Sequence, residues 1–135
     1  MTAGAERGRE PDSELVSIIM PTYNCGAFIG ETIASVQAQT HSHWELLVVD
    51  DCSTDDTAEV VAALAENDPR IHYVRLETNS GAAMARNRAM ELAQGRYMAF
   101  LDSDDLWHPD KLRRQIDFMT SRGVAMSCTA YAQID

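Results

Sequence analysis

From Leu15 onward, short apolar runs rich in β-branched residues alternate with longer stretches in which apolar residues recur at helical spacing. Val16-Ser17-Ile18-Ile19-Met20, Trp44-Glu45-Leu46-Leu47-Val48-Val49, Ile71-His72-Tyr73-Val74-Arg75-Leu76 and Tyr97-Met98-Ala99-Phe100-Leu101 are each of strand length. Two of them are almost continuously apolar, as parallel strands covered on both faces must be. Between and after them, Ile29, Ile33 and Val36 follow helical spacing, as do Val60 and Leu64, then Ala82, Ala85, Ala89 and Leu92, then Leu112, Ile116 and Met119. Val124-Ala125-Met126-Ser127-Cys128-Thr129-Ala130-Tyr131 has the pattern of a fifth strand.

This alternation predicts a doubly wound α/β domain: a mostly parallel sheet, right-handed crossovers and helices on both faces. Ser53 or Thr54 is expected to cap the second helix, Pro109 to open the fourth, and Gly95 and Gly123 to close the third and fourth. The lead-in, residues 1–14, lacks apolar periodicity and is expected to be disordered, leaving residues 15–135 as the domain.

Composition narrows the picture in a few respects. The chain has 135 residues, enough for one domain with a real core. No apolar stretch approaches the roughly 18 to 20 residues of a membrane span. A net charge of -10 with a single lysine, Lys111, excludes a general nucleic-acid surface, which needs clustered cations. Cys25, Cys52 and Cys128 are too widely spaced for a structural zinc motif and read as reduced thiols of a cytoplasmic chain.

In an open parallel sheet, ligands bind beyond the carboxyl ends of the strands, so polar residues that follow each strand converge on one edge. Here those residues are Pro21-Thr22-Tyr23-Asn24, Asp50-Asp51-Cys52-Ser53, Asn79-Ser80-Gly81 and Asp102-Ser103-Asp104-Asp105. Together they offer what a nucleoside diphosphate needs. Tyr23 has an aromatic face for a base, Thr22 a hydroxyl, and Asp51 an acceptor for an imide N–H. Arg86 can form charge-assisted hydrogen bonds, and the carboxylates after the fourth strand repel one another unless a divalent cation compensates. Mg2+ or Mn2+ suits such a site, using one or two carboxylates plus phosphate oxygens. Taken singly, these residues have structural alternatives: Tyr23 as a packing residue, Asp50 as the cap or brace of a turn, and Arg86 as a surface helix residue.

These four segments, in this order and spacing from Leu15 onward, resemble the family 2 glycosyltransferases of the Rossmann-like GT-A fold. The resemblance implies transfer of a sugar, with inversion, from a nucleoside-diphosphate donor of the UDP type to an acceptor hydroxyl. By position it implies that Pro21, Thr22, Tyr23 and Asn24 pack around the nucleotide, that Asp51 recognises the base, and that Arg86 helps hold base and diphosphate. Asp102 then supports the ribose, with Asp104 and Asp105 nearest the metal.

Two departures matter. Cys52 stands where the family usually has glycine, which a small thiol tolerates unless the backbone there needs positive φ. Family members also run well beyond this length, so the chain resembles their donor-binding portion, ending after the fifth strand, with the general base and acceptor site elsewhere. A non-catalytic nucleotide-sugar binding module is the alternative. An uncovered sheet edge would invite a homodimer, and the expected location is cytoplasmic, peripheral to the inner face of a membrane. The phosphorelay receivers, another α/β class that gathers carboxylates at strand ends, need an Asp where this chain has Asn79.

Overall fold

The computed structural model describes residues 14–123; the expected lead-in up to Ser13 and the fifth strand lie outside them. Four parallel strands, β1 (Val16–Thr22), β2 (Trp44–Asp50), β3 (Ile71–Arg75) and β4 (Tyr97–Phe100), form one sheet in the order β3-β2-β1-β4. They alternate with α1 (Ile29–Gln37), α2 (Thr57–Asn67), α3 (Ala82–Leu92) and α4 (Lys111–Arg122). The chain steps outward from β1 to β3 and then crosses back through α3 to place β4 on the far side of β1. That reversal is a topological switch point, and it lies between β1 and β4.

Both faces are covered over β1 and β2, as two-sided apolar strands require, whereas Met98 and Phe100 of β4 stay about half exposed. Ile18, Met20, Leu46 and Val48 pack with Ile29, Ile33 and Val36 of α1, Val61 of α2, and Leu112 and Ile116 of α4. On the other face Ile19, Leu47 and Val49 meet Ala85 and Ala89 of α3, whose small side chains let the helix approach the sheet closely.

Pairing lengths open a crevice at the switch point. β1 stays in register with β2 as far as Thr22↔Asp50 but leaves β4 after Ile19↔Phe100. Alternation along the strand aims the backbone of Ile19 and Pro21 at β4, and the Leu101 N–H donating to the Ile19 carbonyl at 3.1 Å is the last tie on that side. Pro21, with no N–H to donate, therefore sits in an inner strand without breaking a ladder bond.

Of the expected helix boundaries, Gly123 ends α4 in the left-handed region, at φ 63°. Three others differ. α2 starts at Thr57, beyond Ser53 and Thr54, because the Ser53 hydroxyl is committed to the loop below it. α4 starts at Lys111, and the Pro109 carbonyl instead accepts the Thr40 N–H at 2.9 Å, fastening the loop before α4 to the end of α1. α3 ends at Leu92, so Gly95 does not close it. Gly95 runs against the start of β1, where an added Cβ would lie 2.7 Å from the Leu15 carbonyl oxygen and 2.7 Å from Ser17 Oγ.

Candidate functional site

The loops after β1 and β2 are built as one unit around a buried carboxylate. Asp50 is fully buried; its Oδ1 accepts the Ser53 N–H at 2.8 Å and the Ser53 hydroxyl at 2.6 Å, while Oδ2 accepts the Tyr73 hydroxyl and faces Arg75 at 3.8 Å. Ser53 Oγ in turn accepts the Asn24 N–H at 2.8 Å. Asn24 takes φ 50°, a conformation that asparagine tolerates, and its Oδ1 accepts the Thr54 N–H at 2.8 Å. One residue on, the hydroxyl and backbone N–H of Thr57 donate to Asp55 and hold its carboxyl below the usual range, with the Gly26 N–H contributing.

Asp51 ties the β2 loop to α3. Its two carboxylate oxygens accept the Ser80 N–H at 2.6 Å and the Gly81 N–H at 2.9 Å, and its own carbonyl accepts Asn79 Nδ2 at 3.0 Å. Gly81 is the residue that leads into α3, at φ 96°, and has no side chain to cap the helix. Asp51 supplies that cap from another loop, and so fixes the helix that carries Ala82, Ala85 and Arg86.

Beside it, Cys52 takes φ 65°, and its thiol donates to the Leu76 carbonyl at 2.9 Å. The condition under which a side chain is unwelcome at this position is therefore met, because left-handed backbone costs an L-residue roughly 1–2 kcal/mol. The thiol hydrogen bond and the extra chain entropy of glycine offset part of that cost. Cys52→Gly is expected to stabilise the fold by up to about 1 kcal/mol, read as a higher urea midpoint; a lower midpoint would show the Leu76 tie to be the larger effect.

After β4, the acidic turn alternates outward and inward. Asp102, Asp104 and Asp105 are exposed, whereas Ser103 is buried. Ser103 Oγ accepts the Thr22 hydroxyl at 3.1 Å, and its carbonyl accepts the Thr32 hydroxyl at 3.0 Å. Partial desolvation, then the charges of Asp104 and Asp102, push the Asp105 carboxyl up. An uncompensated carboxylate group of this kind suits a divalent cation. Among the described residues no three metal-binding side chains converge as a ready-made cage, so a bound ion would draw further ligands from phosphate, as Mg2+ and Mn2+ commonly do.

The β1–β4 crevice widens into a cleft of about 650 Å³. Of the residues picked out from the sequence, Pro21, Thr22, Tyr23, Asp51, Arg86, Asp102 and Asp104 line it together. Asn24 and Asp105 do not: Asn24 spends its side chain on the loop clamp, and Asp105 lies at the end of the turn, its N–H donating to the Asp102 carbonyl at 3.1 Å. Tyr23 leaves about half its surface exposed, an aromatic face open to a planar ligand. The sequence reading passed over Thr32, although its signal was present: it is the polar member of the Ile29, Ile33, Val36 stripe and is buried like them.

A doubly wound sheet with a polar cleft at its switch point defines a nucleotide-binding class of α/β protein. The chain belongs to glycosyl transferase family 2, whose profile matches residues 17–135. It is 55% identical over 118 residues to TuaG of Bacillus subtilis, named as a teichuronic acid biosynthesis glycosyltransferase, covering 87% of this chain and 47% of that protein. It is 46% identical over 124 residues to the Escherichia coli UDP-Glc:alpha-D-GlcNAc-diphosphoundecaprenol beta-1,3-glucosyltransferase WfgD, covering 92% of this chain and 48% of that protein. The chain thus spans about half the length of these curated relatives.

Among solved structures, S. aureus TarS 1-349 in complex with UDP superposes with a TM-score of 0.74 at 35% identity, over 80% of this chain and 32% of that one. The mannosyltransferase PcManGT from Pyrobaculum calidifontis, in complex with GDP-Man and Mn2+, gives 0.72 at 32% identity, over 77% and 32%. The fold is therefore the GT-A type expected from the motifs. No described helix is long and apolar enough to cross a membrane.

Proposed function

We propose that this chain forms the donor-binding half of an inverting sugar transferase that takes a nucleoside-diphosphate sugar and glycosylates an acceptor hydroxyl. The observation that carries the reading is the convergence of Tyr23, Asp51, Arg86, Asp102 and Asp104 on one cleft at the switch point. Tyr23 stacks on the base, Arg86 binds the diphosphate, and Asp102 supports the ribose. Asp104 would hold Mg2+ or Mn2+, which when bound would stabilise negative charge on the departing diphosphate, while Asp105, outside the cleft lining, would add its charge from the end of the turn.

Asp51 adds a rule about the base. A carboxylate side chain offers only acceptors, and its oxygens here already accept two backbone N–H groups. The base edge it meets must then donate, as the ring N–H of uracil or guanine does; cytosine and adenine present a lone pair there. UDP in the TarS complex and GDP-Man in the PcManGT complex both satisfy that rule.

Among the described residues, no lining carboxylate is left over to deprotonate the acceptor. Asp51, Asp102 and Asp104 serve the donor, and Asp110 accepts the Thr40 hydroxyl at 2.9 Å. The base is assigned to the part of the family's length that this chain does not span. The diphosphoundecaprenol in WfgD's name supports an acceptor at a membrane surface, with this half working at its cytoplasmic face.

Calorimetric titration tests the reading. UDP or GDP with Mn2+ should bind, while the same nucleotides without metal, and CDP with it, should bind at least about tenfold more weakly, one lost hydrogen bond to a charged group corresponding to about 1.5–3 kcal/mol. Metal-independent binding would favour a binding module without transferase chemistry. Efficient sugar transfer by this polypeptide alone would refute the assignment of the base elsewhere.

A further inference from the structure

The acidic turn after β4 is an exposed loop carrying three carboxylates that repel one another, yet its central residue is fixed from two directions. Thr22 at the end of β1 holds the Ser103 hydroxyl, and Thr32 in the second turn of α1 holds the Ser103 carbonyl. Both supports belong to the rigid core: Thr22 is 4% exposed and Thr32 1%.

Thr32 is the unexpected member. It lies in the buried stripe with Ile29, Ile33 and Val36, where valine or isoleucine would fill the same space without a hydroxyl to satisfy. Its hydroxyl has one proton and two carbonyls in range, Phe28 one turn back at 3.3 Å and Ser103 at 3.0 Å. The shorter contact spans 71 positions of sequence and reaches the backbone between Asp102 and Asp104. One turn further along the same helix, Ser35 Oγ accepts the Trp107 N–H at 3.2 Å, so α1 holds the acidic loop at a second point.

We infer that Thr32 is a positioning residue for the metal and diphosphate site: its buried hydroxyl clamps the Ser103 carbonyl and thereby presents Asp102 and Asp104 to the cleft in fixed register. The inference rests on the donor-site reading given above. Groups that orient metal ligands typically change metal affinity or activity about 10–100-fold when removed. A side chain that merely fills the core changes stability instead.

The test measures UDP binding to the full chain as a function of Mn2+ concentration, with the urea midpoint recorded for each variant. Thr32→Val keeps the shape and removes the hydroxyl; the Mn2+ concentration for half-maximal UDP binding should rise about tenfold. Thr32→Ser, which restores the hydroxyl, should return it to within about twofold of the unaltered chain. Ser103→Ala, which breaks the Thr22 tie while leaving the clamped carbonyl, should raise the requirement by a smaller factor.

An unchanged Mn2+ requirement in Thr32→Val overturns the inference, as does a Thr32→Ser variant as impaired as Thr32→Val. Should Thr32→Val fail to fold, an unchanged requirement in Ser103→Ala together with an impaired Thr32→Ser overturns it. If the unaltered chain shows no Mn2+-dependent UDP binding, the donor-site reading falls and takes this inference with it. If the unaltered chain binds and Thr32→Val binds identically, only the role of Thr32 falls.

Discussion

Asp104→Ala should sharply weaken metal-dependent nucleotide binding while leaving the fold intact or slightly more stable. Asp104 is exposed and lines the cleft, and among the described residues its side chain makes no hydrogen bond that holds a neighbouring element. Its removal therefore deletes the carboxylate proposed to hold the metal without opening a cavity. Losing one carboxylate from a site that supplies only one or two should weaken Mn2+-dependent UDP affinity by roughly 100-fold, about 2.7 kcal/mol. Stability should move the other way. The Asp105 carboxyl is held above its ordinary 3.8, first by desolvation and then by Asp104 and Asp102. A carboxylate with a raised folded-state pKa burdens the fold where it is ionised, and the burden disappears as pH falls through that raised value. Removing Asp104 relieves part of it at neutral pH. A urea midpoint at or above that of the unaltered chain, combined with weakened binding, separates a ligand role from a folding defect. Asp104→Ala binding Mn2+ and UDP as the unaltered chain does would remove Asp104 from the metal site.

The readability of these features from sequence differed by physical origin. Strands β1 and β2 were legible because burial on both faces forces continuous apolar runs, and the helical stripes because one face of each helix is buried. The cleft was legible at the level of segments, since parallel topology alone brings the ends of β1, β2 and β4 and the start of α3 to one edge. Hydrogen bonds that cross between loops carry no local signature. Asn24 looks like a ligand-facing residue until its side chain is found holding Thr54, and Ser53 looks like a helix cap until its hydroxyl is found between Asp50 and Asn24. Cys52 shows the same limit: the substitution is visible in the sequence, but the positive φ that makes it costly is not.

The largest effect on stability should come from Asp50, the neighbour of Asp51. Asp50→Ala leaves the buried Ser53 N–H and hydroxyl and the half-buried Tyr73 hydroxyl without their acceptor. Buried donors stripped of a partner cost about 1–3 kcal/mol each. Arg75, whose side chain remains about half exposed, can recover solvent and adds little. A loss of about 3–5 kcal/mol is expected, against a total of about 5–15 for a domain of this kind. Asp50→Asn keeps one acceptor but turns an amide donor toward donors, and should fall between the two. Tyr73 provides a second readout. Burial, then its hydrogen bond to Asp50, pushes its hydroxyl from 10.0 up to about 12. The stability this contributes is fully present below pH 10.0 and is lost as pH rises through about 12. Urea midpoints of the unaltered chain should therefore decline across that interval, and in Asp50→Asn the decline should be shallower because one cause of the shift is gone. Since Ser53 links Asp50 to Asn24, the β1 loop should also loosen and nucleotide binding should weaken in Asp50→Asn even where the protein remains folded. A midpoint for Asp50→Ala within about 0.5 kcal/mol of the unaltered chain, the range of ordinary surface substitutions, would mean that the carboxylate does not hold the two loops together.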